Sequence, residues 1–171
     1  MQAKHEIERQ LGSFKENQLI FASKLYRQSL CDTVSESAYY KTLERMCQQN
    51  SLAHVSRGIY CKPARGKYGV RLPTERDVIH EFTREGNGTV IGYALYNQLN
   101  LTTQVPKLIE VYSSLPEQQT KRIGSVRLTQ KELKYSPEAV RMIQMLEVLK
   151  NYSEIQDLNQ NQFIKLCEEF A

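Results

Sequence analysis

The sequence predicts an α+β fold in two small domains, and three observations predict it. The chain has 171 residues, enough for one ordinary domain or two small ones. Segments with apolar residues at helical spacing alternate with short β-branched runs bounded by turn residues. The charge is divided. Residues 1–72 carry twelve Lys/Arg against six Asp/Glu, and residues 73–171 carry eleven against thirteen. A basic front suits a half that meets an anion, and a mildly acidic back suits a different task.

The first helix is predicted over residues 3–14, where Ile7, Leu11 and Phe14 recur at helical spacing opposite Lys4, Glu6, Glu8 and Arg9. A second short helix is predicted over 21–29, with Phe21 and Leu25 inward. The third is the best signalled. Thr33-Val-Ser-Glu36 fits a capping box, and Tyr39, Leu43, Met46 and Cys47 then form one apolar stripe to about residue 49. Residues 52–61 read as a two-stranded hairpin turning at Arg57-Gly58. The stretch 62–73, rich in Gly, Pro and cations, reads as a connection, with the linker at 67–72 between domains 1–66 and 73–171.

The back half opens on another cap, Thr74-Glu-Arg-Asp77, ahead of Val78, Ile79 and Phe82. A strand at 89–91, a short helix at 92–99 and a strand at 108–113 follow. Residues 122–127 read as a tight hairpin over Gly124-Ser125. Pro137 starts a strong helix through Val140, Ile143, Leu146 and Leu149, and a last helix spans about 159–170.

Three helices followed by a hairpin is the order of a winged helix-turn-helix, in which the third helix enters the major groove of DNA. The basic front agrees, because phosphate neutralisation dominates DNA affinity. The candidate DNA contacts are Ser35, Ser37, Tyr40, Lys41 and Arg45 on the third helix, Arg57 at the hairpin tip, and Lys62, Arg65 and Lys67 beyond it. Lys and Arg suit guanine edges, while Ser and Tyr suit phosphate oxygens. The ordinary alternative is a solvated helix face and a solvated linker. In the back half Tyr93, Tyr96, Thr103 and Tyr112 are candidate partner contacts, since Tyr is enriched at protein interfaces; core tyrosines with a bonded hydroxyl are the alternative.

Other classes are disfavoured. The apolar runs are too short to span a bilayer, and the first ten residues are polar, so a cytoplasmic protein without membrane association is expected. The four cysteines lack any CxxC spacing and read as free thiols. The sequence contains no GxSxG, P-loop, HExxH or dinucleotide glycine pattern, so neither an enzyme nor a cofactor or metal site is expected. A nucleic-acid-processing enzyme would need folding to gather its scattered carboxylates around a metal.

The segment "SRGIYCKP" ending at Pro63, the stretch "GTVIGYALYNQLNLTTQVP" from Gly88 to Pro106, and "LIEVYSS" followed by "KRIGSVRLTQKEL" resemble the AbiEi-type antitoxins of bacterial type IV toxin–antitoxin systems. The resemblance runs over about residues 5–150, with "RGIY" and "TQVP" its most specific parts. It implies a winged helix that binds operator DNA and represses its own operon; inverted repeats in that double-stranded DNA are expected on a separate ground, because paired half-sites raise affinity and specificity. It also implies a C-terminal domain that counters a nucleotidyltransferase-like toxin. A stand-alone regulator with no toxin is the alternative. The chain would act as a homodimer or as two copies paired on the DNA.

Overall fold

The computed structural model describes residues 2–67 and 69–170, without the side chains of Gln2 and Ala3. Tyr68, within the stretch expected as a linker, lies outside the described residues. The fold is mixed α+β, and the chain divides into two compact units, residues 1–81 and 82–171.

The first unit runs α1 (Gln2–Gly12), β1 (Leu19–Phe21), α2 (Ala22–Ser29), α3 (Glu36–Gln48), β2 (Ala53–Ser56) and β3 (Ile59–Cys61). The amphipathic faces meet in one core of Ile7, Leu11, Ile20, Leu25, Leu30, Val34, Tyr39, Leu43 and Leu52. Tyr39 is its largest buried side chain, and it resolves its polar end locally: the hydroxyl donates to the Ala22 carbonyl at 3.1 Å. Its ring stacks on Tyr26, whose own hydroxyl donates to the Val34 carbonyl at 2.9 Å. The first bond fastens α3 to α2, and the second fastens α2 to the turn between them.

Two local expectations are corrected here. The N-cap of α3 is Ser35, not Thr33; the Ser35 hydroxyl accepts from the Ala38 N–H at 3.4 Å. Thr33 instead donates to the Leu30 carbonyl, because the chain is still in the turn that buries Val34. Phe21, expected to open the second helix, ends strand β1. That strand was not foreseen, and it pairs antiparallel with β3 as Leu19↔Cys61, Ile20↔Tyr60 and Phe21↔Ile59. The sheet order is β1-β3-β2. Between β2 and β3 the chain turns at Arg57–Gly58; Gly58 sits at φ +72°, where a side chain is strained, and the register skips one residue between His54 and Ser56.

The stretch expected as a linker carries a second antiparallel ribbon, β4 (Ala64–Gly66) with β5 (Gly69–Arg71). The unit division falls beyond it, inside α4 (Glu75–Thr83). Counted on the compact units, residues 1–81 hold thirteen Lys/Arg and nine Asp/Glu, and 82–171 hold ten of each. The acidity assigned to the back half therefore comes from Glu75, Asp77 and Glu81 on α4.

The cap of α4 forms as expected. Asp77 accepts from the Thr74 N–H at 2.7 Å and from its hydroxyl at 2.8 Å, while the Thr74 hydroxyl accepts from the Asp77 N–H at 3.3 Å. The Thr74 N–H, then its hydroxyl, hold the Asp77 carboxyl below its ordinary value. A lowered carboxyl stabilises the fold above its unfolded pKa, and that stabilisation fades as pH falls through the folded value. Thr74→Ala is expected to cost about 1 kcal/mol near neutral pH and measurably less near about pH 2, read by urea denaturation at both. The carboxyl is solvent-exposed, which keeps the pH-dependent part small.

The second unit contains β6 (Gly88–Ile91), α5 (Gly92–Gln98), β7 (Ile109–Ser113), β8 (Thr120–Ile123), β9 (Val126–Gln130), α6 (Pro137–Asn151) and α7 (Gln160–Phe170). The sheet order is β6-β7-β9-β8. β6 and β8 each pair antiparallel with their neighbour, while β7 and β9 run parallel. The β8–β9 turn falls at Gly124-Ser125, with Gly124 at φ +56°. Pro137 opens α6, and the Ser136 hydroxyl caps it by accepting from Ala139 N–H at 3.2 Å. Leu95, Tyr96 and Leu101 pack with Met145, Val148, Ile155 and Leu166 to form a core.

Candidate nucleic-acid interface

Burying Tyr39, Thr42 and Leu43 fixes the rotation of α3 and therefore what it turns outward. Ser37, Lys41 and Arg45 follow one another every four residues and are all exposed, flanked by exposed Glu44 and Gln48. Two guanidinium or ammonium heads and a hydroxyl thus line one ridge with a length of about two turns. Ser35 stands at the N-terminal end of α3, exposed, with its hydroxyl engaged in the cap. Tyr40 is less available: it is half-buried, edge-on to Tyr39 at 5.2 Å, and packs against the core.

Arg57 is exposed at the tip of the β2–β3 hairpin. Lys62 has another job. Its ammonium donates to the carbonyls of Gly12 and Phe14, each at 2.8 Å, at the C-terminal end of α1. A cation there satisfies carbonyls that the helix leaves unpaired. Arg65 on β4 and Lys67 in the adjoining turn are exposed on the second ribbon. The structure thus gathers Ser37, Lys41 and Arg45 on one helix face and sets Arg57 and the Arg65/Lys67 pair on two separate hairpins.

Lys24 and Arg27 on α2, outside the set expected from the sequence, are both exposed and three residues apart. Their spacing opposite buried Ala22 and Leu25 was the available signal. The cysteines divide by environment: Cys31 is exposed, whereas Cys61 is buried in β3, where burial pushes its thiol up to about 11.

In the second unit the candidate tyrosines are largely spent inside. Tyr93 donates to the Glu154 carbonyl at 3.1 Å and accepts from the Gln156 N–H at 3.2 Å. Tyr96 is buried and accepts from the Asn151 amide at 3.2 Å; burial pushes its hydroxyl up to about 12. Tyr112 is half-buried with the Lys131 ammonium over its ring at 5.7 Å. Thr103 is exposed, while its neighbour Thr102 is buried and donates to the Gln156 carbonyl at 2.7 Å. An open cleft of about 930 Å³ lies beside Lys134, Ser136 and Val140; the Thr89 hydroxyl at its wall is taken by the Gln144 amide at 2.9 Å. Among the described residues, no group of three His, Cys, Asp or Glu side chains could hold a metal ion, and no helix is long and apolar enough to cross a membrane.

The fold and this ridge define an α+β chain whose first unit turns cations outward on α3. The chain belongs to a family of unknown function, DUF6088, which matches residues 6–165. No curated protein and no solved structure matches it. The family match does not bear on the resemblance to AbiEi-type antitoxins.

Proposed function

We propose that the first unit is a winged helix-turn-helix that binds double-stranded DNA, and that the protein is a transcriptional repressor. The observation that carries this reading is the arrangement α1-β1-α2-α3-β2-β3 with sheet order β1-β3-β2, which leaves the Ser37–Lys41–Arg45 ridge of α3 facing outward. In this reading α3 lies in the major groove with Lys41 and Arg45 against base edges or flanking phosphates. Arg57 at the hairpin tip reaches the backbone or the minor groove, where negative potential is greatest. Lys24 and Arg27 on α2 suit the phosphates beside the groove. Lys62 drops out of the contact set, because its ammonium holds the end of α1.

The antitoxin role implied by the resemblance would fall on the second unit. Tyr93 and Tyr96 bond internally there, so DNA binding and repression are the reading the geometry supports best. The test is a gel shift of the full chain with the DNA upstream of its own gene, against unrelated DNA of equal length. A complex on the upstream fragment that survives competitor is expected, with affinity falling steeply as salt rises from about 50 to 200 mM. Equal binding to both fragments would remove the repressor assignment, and binding to neither would remove the DNA-binding one.

A further inference from the structure

None of the described residues of the β4–β5 ribbon is buried. Arg65, Gly66, Gly69, Val70 and Arg71 are exposed, Val70 by 59%. A two-stranded ribbon with no apolar face to pack is marginally stable in water. What fixes this one is its root. The Asn17 N–H donates to the Lys62 carbonyl at 2.8 Å, and the Asn17 side-chain carbonyl accepts from the Ala64 N–H at 3.3 Å. Glu16 and Lys62 add a parallel bridge, and the Lys62 ammonium ties the same stretch to the end of α1. The chain thus leaves the first unit's sheet at a fixed point, and the ribbon projects from there.

Its composition says what it meets. From Arg45 to Thr74, thirty residues, the sequence holds six Lys/Arg and no Asp or Glu. An ordinary solvated surface mixes charges of both signs, so a run this long without a carboxylate points to a polyanion. Residues 62–73 also lack Asn and Gln, the amides that pair with adenine edges. What the ribbon offers is cations on a thin backbone: the Gly66↔Gly69 pair beside its turn has no side chains to hold a surface away. Of those cations, Lys62 is engaged at the root, and Arg71 lies within electrostatic reach of Asp77. Arg65 and Lys67 stand nearest the outer end.

The two hairpins leave opposite ends of β3, with Arg57 before the strand and Arg65 after it. The chain between Arg57 and Arg65 spans at most about 28 Å, roughly eight base pairs of B-DNA. We propose that the β4–β5 ribbon is a second DNA arm, in which Arg65 and Lys67 grip backbone phosphates outside the groove that α3 enters. The arm adds affinity and length to the contact and no sequence preference. The proposal rests on the DNA-binding reading of the first unit, and it assigns to a separate element a separate task.

The experiment is fluorescence anisotropy of the full chain with the upstream duplex and with an unrelated one, from about 50 to 200 mM salt. Arg65→Ala with Lys67→Ala should weaken binding to both duplexes alike, by about tenfold at the lower salt, and lower the salt slope by about two. The ratio of the two affinities should stay at its native value. The exchange Arg65→Lys with Lys67→Arg keeps both charges and should bind like the native chain. If the native chain binds and the alanine pair matches it in affinity and slope, the ribbon proposal is overturned and the DNA-binding reading stands. A native chain that binds neither duplex overturns both. An alanine pair that changes the ratio at constant slope makes the ribbon a reader of bases and overturns the phosphate role. A charge-keeping exchange as weak as the alanine pair overturns a role through charge.

Discussion

Replacing both Lys41 and Arg45 by alanine is expected to weaken binding to the upstream DNA by roughly 30- to 1,000-fold, about 2–4 kcal/mol. Both side chains are exposed on α3, and neither takes part in the core that Tyr39 and Leu43 build. The variant should therefore keep its stability to within about 0.5 kcal/mol, which separates a contact role from a folding role. Salt titration resolves the contact type. If a side chain neutralises a phosphate, its loss weakens all sequences alike and lowers the salt slope by about one. If it reads a base edge, its loss relaxes preference at that base pair and leaves the slope nearly unchanged. Fluorescence anisotropy with a labelled duplex at several salt concentrations measures both. Unchanged affinity in the double variant would take α3 out of the groove.

Gly88→Ala is expected to destabilise the second unit by about 3 kcal/mol, lowering its melting temperature by roughly 12–24 °C. Gly88 is buried on β6 opposite Ser113. A Cβ there would lie 2.3 Å from the Tyr112 carbonyl oxygen and 2.5 Å from that of Phe82. Both obstacles are backbone, so neither can swing aside as a long side chain would. Either β6 separates from β7 or the end of α4 moves, and each opens part of the unit. Gly12 offers the contrast: a Cβ there meets nothing within 4 Å, and Gly12→Ala should be neutral or slightly stabilising. Differential scanning calorimetry of the two variants checks both, and equal melting temperatures would show that β6 is not held as described.

What the sequence disclosed follows from the range of the forces involved. The stripe of α3, the Arg57–Gly58 and Gly124-Ser125 turns, the Pro137 start and the last helix are each written in residues within a few positions of one another. Strand β1 was not legible, because three residues give too little period and its pairing partner β3 lies about forty residues on. The β4–β5 ribbon was hidden by its glycines, which mark a flexible connection and a tight ribbon alike. The outward residues of α3 were legible as a set, since helical rotation follows from the apolar face. The work of Lys62 was not, because its carbonyl partners lie at Gly12 and Phe14, some fifty residues earlier. Tyr93 and Tyr96 were ambiguous for the same reason, their partners being Glu154, Gln156 and Asn151.

The strand order of the second unit also bears on how that unit assembles. β9 lies between β7 and β8, so the chain passes from β7 out to the edge and comes back through a two-residue turn to fill the gap. β8 and β9 are adjacent in sequence and close at Gly124-Ser125, a loop whose entropy cost is small. Their ladder can form by itself within microseconds. The parallel seam from Ile109↔Val126 to Ser113↔Gln130 needs a longer loop, and the β6–β7 ladder, which crosses α5, a longer one still. The β8–β9 hairpin is therefore the one local ladder of this sheet, and its other two ladders both wait on distant parts of the chain coming together.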